Sequence, residues 1–127
     1  MKLGKIMFVK AINWIDKDAQ EAELIVSDGN IELLCFSQPC NKKVNESIDS
    51  LIYCFDAEDI QKSDERIAYT NKDDSYFGYS MCCNLLDLKD KIVQIGEIKL
   101  CLEGEEFPGD LVEGDYVKFN VSRLDVY

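Results

Sequence analysis

Apolar residues along this chain recur in short runs separated by turn-forming residues. Two of the runs, residues 22–26 and 31–36, flank the segment Ser27-Asp28-Gly29-Asn30. The Asp-Gly pair supplies the positive φ angles that a tight turn between two strands needs. The pattern therefore predicts a β-hairpin at this point of the chain.

Further apolar runs predict additional strands. They lie at residues 5–14, 48–55, 66–70, 76–83, 92–102 and 116–126. The first run is apolar at both alternating positions, which predicts a strand covered on both faces. The spacing of apolar residues within 48–55 also fits one face of a short helix. We expect the acidic segment 55–65 to be a turn and residues 85–91 to be a polar connection with at most one helical turn.

Two of the predicted strands change their apolar face part of the way along. In residues 92–102 the change falls at Gly96, and in residues 116–126 it falls near Ser122 and Arg123. A glycine at such a change is typical of a bulge, which allows one strand to serve two sides of a closing barrel. We therefore predict a mainly β fold: one small β-barrel of coiled antiparallel strands with at most one short helix.

The segment GDLVEGDYVKFNV, residues 109–121, resembles the turn that feeds the closing strand in OB-fold and cold-shock-like barrels. In this reading Gly114 permits the turn, Asp115 accepts turn amides, and Val117 and Phe119 point into the barrel. The resemblance implies an OB-like barrel. SH3-like barrels use similar turns, so the segment indicates an architecture and not a function.

The chain of 127 residues has the size of one domain, and it contains no Gly/Ser linker and no repeat, so we assign residues 1–127 to a single barrel domain. No stretch approaches the ~18 uncharged apolar residues of a membrane span. Six cysteines occur, none in a CxxC pair. We expect them to be reduced, buried thiols in a cytoplasmic protein without membrane contact. A redox pair of the adjacent Cys82 and Cys83 is the alternative.

The absence of histidine weighs against enzyme chemistry, because it removes the commonest general base and the commonest metal ligand. The sequence also contains no nucleophile elbow, phosphate-binding glycine loop or dinucleotide fingerprint. Asn71, Asp73 and Ser75 imitate the opening of a calcium loop, but Tyr76 stands at its glycine position and Cys82 at its twelfth. We therefore expect no catalytic residues, no cofactor and no metal site.

Acidic residues outnumber basic ones by 25 to 14, which gives a net charge of -11 and argues against a nucleic-acid partner. Residues 44–61 carry five carboxylates and residues 100–117 carry six, in both cases without a lysine or arginine. Whether these two stretches share a face is open at this point. Five carboxylates of the second stretch are our candidate contacts for a basic partner: Glu103, Glu105, Glu106, Asp110 and Glu113. The alternative is that the acidic stretches are a solvated surface that keeps the protein in solution.

Tyr76, Phe77 and Tyr79 surround Gly78 in a pattern similar to the stacking motif of RNA-binding sheets. Aspartates precede the motif and only Lys72 lies close to it, so its setting does not favour RNA. We expect these three rings to be exposed and to contribute to a contact surface. The alternative is that they pack in the core or within the hairpin, with the tyrosine hydroxyls at the rim.

Three functions remain open from the sequence. The first is a non-enzymatic protein-interaction module, since in size and acidity the chain resembles bacterial immunity proteins, which neutralise basic nuclease toxins by covering a cationic active site. The alternative is an OB-like barrel that binds single-stranded nucleic acid or an oligosaccharide, with exposed aromatics converging on Lys2, Lys5 or Lys10. The third is a subunit of a homo-oligomer.

Overall fold

The computed structural model describes residues 6–127, which form nine β-strands and no helix. The mainly β fold expected from the sequence is confirmed. The strands are β1 (Phe8–Asp16), β2 (Glu21–Ser27), β3 (Glu32–Ser37), β4 (Ile52–Lys62), β5 (Tyr69–Lys72), β6 (Tyr79–Asp87), β7 (Ile92–Ile95), β8 (Ile98–Cys101) and β9 (Tyr116–Asp125).

Five of the strands close into a barrel. Their order around it is β4, β9, β6, β7 and β8, and β8 returns to β4. The pair β4–β8 is parallel and the other neighbouring pairs are antiparallel. Strands β6, β7 and β8 form a meander, and β9 returns to lie beside β6, which is a Greek-key arrangement. The small barrel predicted from the changes of apolar face is therefore present.

The remaining four strands extend the barrel on two sides. Strands β1, β2 and β3 form an antiparallel sheet that joins β9 through a parallel pairing of Phe36 with Asp125. Strand β5 pairs with β6. As a result, β1 and β5 are the two edge strands of the whole sheet.

The hairpin predicted around Asp28 and Gly29 is confirmed as β2 and β3. Gly29 has a φ of 97°, and the Asp28 carboxylate accepts the backbone N–H groups of Asn30 and Ile31 at 2.9 and 2.8 Å. The same carboxylate accepts the N–H of Glu97 at 2.9 Å. Asp28 thus joins the β2–β3 turn to the turn between β7 and β8.

The prediction of one bulged strand over residues 92–102 is wrong. These residues form two strands, β7 and β8, which Gly96 and Glu97 connect in a tight turn. The change of apolar face at Gly96 therefore marks a reversal of the chain direction. Gly96 has a φ of 57°, and a Cβ at this position would collide with the carboxylate of Asp28.

The acidic segment 55–65 was expected to be a turn, but most of it belongs to β4. Asp56 and Asp59 both have positive φ angles inside this strand, and the register shifts between Glu58 and Gln61. The helical alternative for residues 48–55 is also wrong, because β4 begins at Ile52. Residues 85–91 were expected to be a polar connection with at most one helical turn, but β6 continues to Asp87, so the first three of them belong to a strand.

Strand β1 is not covered on both faces as the sequence predicted. It lies at the edge of the sheet, and the side chains of Trp14 and Ile15 are 38 % and 49 % exposed. Lys5, the first residue of the predicted strand, lies outside the described residues.

The change of apolar face in the last strand is confirmed. Val117, Phe119 and Val121 of β9 are buried, as is Leu124, while Ser122 and Arg123 between them face outward. On the partner strand β4, Phe55 and Asp56 also face outward in succession, with Phe55 paired to Arg123. The two strands therefore change faces together, which places these outward side chains side by side.

The turn before β9 has the geometry that was predicted for residues 109–121. Gly114 has a φ of 96°, and the Asp115 carboxylate accepts the N–H of Val112 at 2.9 Å. Val117 and Phe119 are buried in the core.

Candidate functional site

The fold brings the two acidic stretches together on one part of the barrel. Glu58 and Asp59 of β4 line an open depression with Glu105 and Glu106 of the loop that follows β8. The positive φ of Asp59 and the register shift beside it allow two successive carboxylates to face solvent. We call these four residues and the neighbouring Asp56 the acidic face.

Few cations offset the charge of the acidic face. Within residues 6–127 the ion pairs are Lys10–Glu32, Lys42–Glu46, Lys62–Asp115, Lys72–Asp73 and Arg123–Asp125, and none of them includes a carboxylate of this face. Lys91 donates to the backbone carbonyl of Glu105 and lies 5.7 Å from the ring centroid of Phe107, so it supports the loop rather than a carboxylate. The acidic face therefore presents a largely uncompensated negative potential to solvent.

The other candidate carboxylates lie elsewhere. Glu103 lines a separate depression that also contains Lys89 and Lys91. Asp110 lies in an exposed turn, and Glu113 accepts the N–H of Leu88 at 3.2 Å. Of the five carboxylates named from the sequence, the structure brings only Glu105 and Glu106 to the acidic face.

A second depression, of about 460 Å³, adjoins the acidic face and is lined mainly by polar side chains. We call it the polar cleft; its lining residues are Asp56, Glu58, Asp73, Ser75, Ser80, Asn120, Val121 and Ser122. Hydrogen bonds connect several of them: Ser122 donates to Asp56 at 3.2 Å and Ser80 to Asn120 at 2.7 Å. Asn120 also donates to Asp59 of the acidic face at 3.2 Å.

Asp73, at the rim of the polar cleft, is held in its ionised form. The hydroxyl and the backbone N–H of Ser75 both donate to its carboxylate, and they lower the pKa of Asp73 below its ordinary value. The cleft thus offers carboxylate oxygens as acceptors and hydroxyl and amide groups that both donate and accept.

A row of aromatic side chains runs beside the polar cleft. The ring of Phe77 contacts Tyr76 and Phe36 edge-on, with centroids 4.8 and 5.8 Å apart. The guanidinium of Arg123 lies between Phe36 and Phe55, 4.3 and 4.6 Å from their ring centroids. Asp125 accepts two hydrogen bonds from Arg123, at 2.6 and 3.1 Å, which fix the guanidinium in place. We call these five stacked side chains, from Tyr76 to Phe55, the aromatic row.

The sequence identified only part of the aromatic row. Tyr76 and Phe77 were candidates from their local motif, and Tyr76 is 64 % exposed while Phe77 is half-buried. Phe36 and Phe55 were missed, because they come from strands that meet only through β9. The one local signal was the change of apolar face near Arg123.

The prediction that Tyr79 is exposed is wrong. Its side chain is buried, and its hydroxyl accepts the backbone N–H of Leu34 at 2.8 Å. Burial raises the pKa of Tyr79 above its ordinary value. The side chain therefore links β6 to β3 through this hydrogen bond and takes no part in a contact surface.

The lysines expected to converge with the aromatics do not do so within the described residues. Lys10 pairs with Glu32, and the cation in the aromatic row is Arg123. Lys2 and Lys5 lie outside the described residues.

All six cysteines are free and buried. Burial raises the pKa of Cys54 and of Cys83 well above that of an exposed thiol, which favours the unreactive protonated form. In the part of the chain that the structure covers, no group of three or more cysteine and carboxylate side chains is placed to hold a metal ion. Residues 6–127 also contain no helix of the length and apolarity needed to cross a membrane.

The site therefore combines a negative face, a cleft of hydrogen-bonding groups and exposed aromatic rings. No protein-family model, curated protein or solved structure matches this chain.

Proposed function

We propose that this protein is a non-enzymatic interaction module that binds a basic protein through its acidic face. The observation that carries the proposal is the meeting of Glu58 and Asp59 with Glu105 and Glu106 in one open depression. The two stretches come from distant parts of the chain, and both lack lysine and arginine. Their convergence concentrates negative charge where a cationic surface can approach.

The physical role of such a face is electrostatic. A concentrated negative potential accelerates encounter with a basic partner and orients it, and the effect weakens as salt screens the charges. The exposed ring of Phe55, adjacent in sequence to Asp56, adds apolar area that a partner can cover. The partner class that fits best is a basic protein with an exposed cationic site.

The finer form of the proposal is an immunity-type inhibitor that covers the cationic active site of a basic nuclease, on an OB-like barrel. The five-stranded Greek-key barrel and the geometry of the turn before β9 support the OB-like description. A gene for a basic toxin beside the gene for this protein would support the inhibitor role.

The proposal is tested by capturing partners from the native host's lysate at low and at high salt, with bound protein and nucleic acid both identified. The test variant replaces Glu58, Glu105 and Glu106 by glutamine. We expect the wild type to recover one basic protein at low salt and to lose it at high salt, and we expect the triple variant to recover much less of it. A partner contacting all three carboxylates should bind the variant roughly tenfold or more weakly, since each contact contributes several tenths of a kcal/mol or more.

The matched control replaces Asp18 by asparagine and Glu65 and Glu97 by glutamine. These three carboxylates are exposed, lie outside the acidic face and accept no side-chain hydrogen bond within the described residues. Both triple variants change the net charge from -11 to -8, so they differ only in where charge is removed. Equal losses of binding in the two variants, or recovery of nucleic acid in place of a basic protein, would overturn the proposal.

A second candidate function is the binding of a neutral oligosaccharide across the polar cleft and the aromatic row. Tyr76 and Phe55 are 64 % and 53 % exposed, and the polar cleft beside the aromatic row carries serine, asparagine and carboxylate groups. Exposed rings provide faces for sugar rings, and these polar groups match sugar hydroxyls. The carboxylates disfavour the phosphates of single-stranded nucleic acid, so the sugar is the better fit of the two ligands.

The second candidate is tested with neutral glucan hexasaccharides as probes in an NMR titration. Binding at this site would shift resonances of Phe55, Tyr76, Ser80 and Asn120, and the change Phe55→Ala would weaken it. The change Tyr127→Ala is the control, since Tyr127 is 66 % exposed but lies outside the aromatic row. Absence of shifts at millimolar sugar would exclude these probes as ligands.

A further inference from the structure

Strand β1 leaves most of one edge without a partner. Near its start, Val9 donates its N–H to Glu46 and accepts the N–H of Asn45, so the segment before β4 covers the edge there. From Lys10 to Asp16, no other backbone segment among residues 6–127 pairs with this edge. An open strand edge is a template for pairing with another strand.

The backbone direction along β1 follows from the paired residues. The N–H and C=O groups of Val9 point away from β2. After the bulge at Lys10, the backbone groups of successive residues again point alternately toward and away from β2, and those of Asn13 point toward it. The N–H and C=O groups of Ile12 and Trp14 then point outward from the sheet. They supply the donors and acceptors of the free edge.

The side chains on this edge divide by face. Ile12 and Trp14 pair with Leu24 and Ala22, which are fully buried, so both lie on the core-facing side of the sheet. Ile12 packs against the core, whereas Trp14 extends past it and is 38 % exposed. The edge therefore carries apolar surface that the chain does not cover within the described residues.

This segment is complementary to itself in the antiparallel direction. If two β1 strands pair about Asn13, Ile12 of each copy stands opposite Trp14 of the other, and both residues direct their backbone groups toward the partner strand. The same register brings Lys10 of each copy, which pairs with Glu32 of its own chain, near Asp16 of the other copy. Because the register of β1 with β2 shifts between Trp14 and Asp16, this end of the pairing lies at a bulge. The outward backbone groups and the apolar side chains of Ile12 and Trp14 thus find partners in a single register, and the charges at its ends are of opposite sign.

We propose that the free edge of β1 binds the β1 strand of a second copy of this chain, forming a two-fold dimer in which strands β1, β2 and β3 of the two copies become one continuous six-stranded part of a larger sheet. The strand order is β3, β2 and β1 of one copy, followed by β1, β2 and β3 of the other. The occupant is a second copy because Asn13, at the two-fold axis, meets only itself, and the residues on either side of it are complementary in apolar character and in charge. This dimer involves no residue of the acidic face and is independent of the proposed basic partner.

Net charge sets the conditions under which the dimer forms. Each copy carries a net charge of -11, so two copies repel at low salt and added salt weakens that repulsion. Dimerisation is therefore favoured by salt, whereas binding of a basic protein is opposed by it. The opposite salt dependences allow either proposal to fail without affecting the other.

The experiment measures the mass of the purified chain by sedimentation from micromolar to millimolar concentration, at low and high salt. The test variant is Asn13→Lys, which places two like charges directly opposite each other at the two-fold axis. The matched control is Asn71→Lys on β5, the other edge strand, which adds the same charge at an exposed asparagine. Near-ultraviolet circular dichroism verifies that both variants are folded.

We expect the wild type to pass from 14.5 kDa toward twice that mass as protein and salt concentrations rise. Asn13→Lys is expected to raise the dissociation constant roughly two- to fivefold, and Asn71→Lys to leave it unchanged. Trp14 is the only tryptophan, so its fluorescence should shift to the blue on dimerisation. The amide protons of Ile12 and Trp14 should become protected from exchange in the dimer, whereas that of Asn13 is protected already in the monomer.

A wild type that stays monomeric at millimolar concentration and high salt would overturn the proposal. So would a dimer that Asn13→Lys leaves intact, or one in which the amides of Ile12 and Trp14 exchange as fast as in the monomer.

Discussion

Single side chains hold the added strands onto the barrel. Tyr79 reaches from β6 to the backbone of Leu34 in β3, and Arg123 stacks on Phe36 of the same strand while its guanidinium is held by Asp125. Among residues 6–127, no fully buried side-chain nitrogen or oxygen lacks a hydrogen-bond partner. Each of these polar contacts is therefore a place where loss of one partner leaves the other unsatisfied.

Tyr79→Phe tests the contact between β6 and β3. The change keeps the ring but removes the acceptor of the Leu34 N–H, so we expect a loss of about 1–3 kcal/mol in the free energy of unfolding. Urea denaturation of the variant measures it. Tyr69→Phe on the edge strand β5, where the side chain is 38 % exposed, should change stability by less than about 0.5 kcal/mol. Similar losses for the two variants would contradict the role assigned to Tyr79.

Asp28 gives a prediction about pH. Its partial burial acts to raise the pKa of the carboxyl, but the backbone N–H groups of Glu97, Ile31 and Asn30 outweigh it and lower the pKa below its ordinary value of 3.8. Because the pKa is lower in the folded state, the carboxylate stabilises the fold above pH 3.8, and this stabilisation is lost as the pH falls through the folded-state pKa. The stability of Asp28→Asn relative to the wild type should therefore be lowest near neutral pH and recover below pH 3.8. Denaturant titrations of both proteins across this range measure the difference, and a difference independent of pH would count against the assignment.

Among whole elements, tight turns decide which strands become neighbours. The turn at Gly96 and Glu97 reverses the chain between β7 and β8, and Asp28 of a different hairpin binds it through the N–H of Glu97. One arm of the barrel meander is thereby attached to the added sheet.

Gly96→Ala should destabilise the protein by about 1–3 kcal/mol. Part of the loss comes from the positive φ of 57°, which costs an L-residue about 1–2 kcal/mol, and the rest from the collision of the new Cβ with the Asp28 carboxylate. Gly109→Ala is the control, because a Cβ there meets open space and the backbone has no positive φ. Thermal unfolding of the two variants gives the comparison. A Gly96→Ala protein as stable as Gly109→Ala would show that the turn adapts.

The sequence predicted elements well where the signal was local. Asp28 with Gly29 identified a hairpin, and the apolar alternation around Val117 and Phe119 identified the last strand together with its change of face. It failed where the same pattern has two physical causes. A change of apolar face at Gly96 fits a bulge and a chain reversal equally, and only the pairing of β7 with β8 distinguishes them.

The candidate site was less predictable than the fold, because it depends on which strands meet. Glu105 and Glu106 were named as candidates, but their neighbours Glu58 and Asp59 became neighbours only through the closure of the barrel. The acidic segment containing Asp59 read as a turn, since strands rarely carry so many carboxylates. Positive φ angles at two aspartates reconcile this composition with a strand.

At the scale of the whole molecule, the acidic face opposes the stability of the fold. A net charge of -11 on a domain of 127 residues produces repulsion within the molecule, which is strongest where carboxylates converge without cations. Functional sites often retain arrangements of charge that destabilise the fold. The charge distribution thus links the proposed interaction to a measurable cost in folding.

The triple replacement of Glu58, Glu105 and Glu106 by glutamine should therefore stabilise the protein while it weakens partner binding. At low salt we expect a gain of about 0.5–2 kcal/mol in the free energy of unfolding, since each removed charge relieves repulsion from its neighbours. The gain should shrink in about 0.5 M salt, because screening then confines the repulsion between carboxylates to separations of a few ångströms. The control replacement of Asp18, Glu65 and Glu97 removes the same charge from scattered positions, so it should give a smaller gain at low salt. If the free energy of unfolding rises equally in the two variants, the repulsion depends on net charge alone. The carboxylates of the acidic face are then not close enough together to act as one surface.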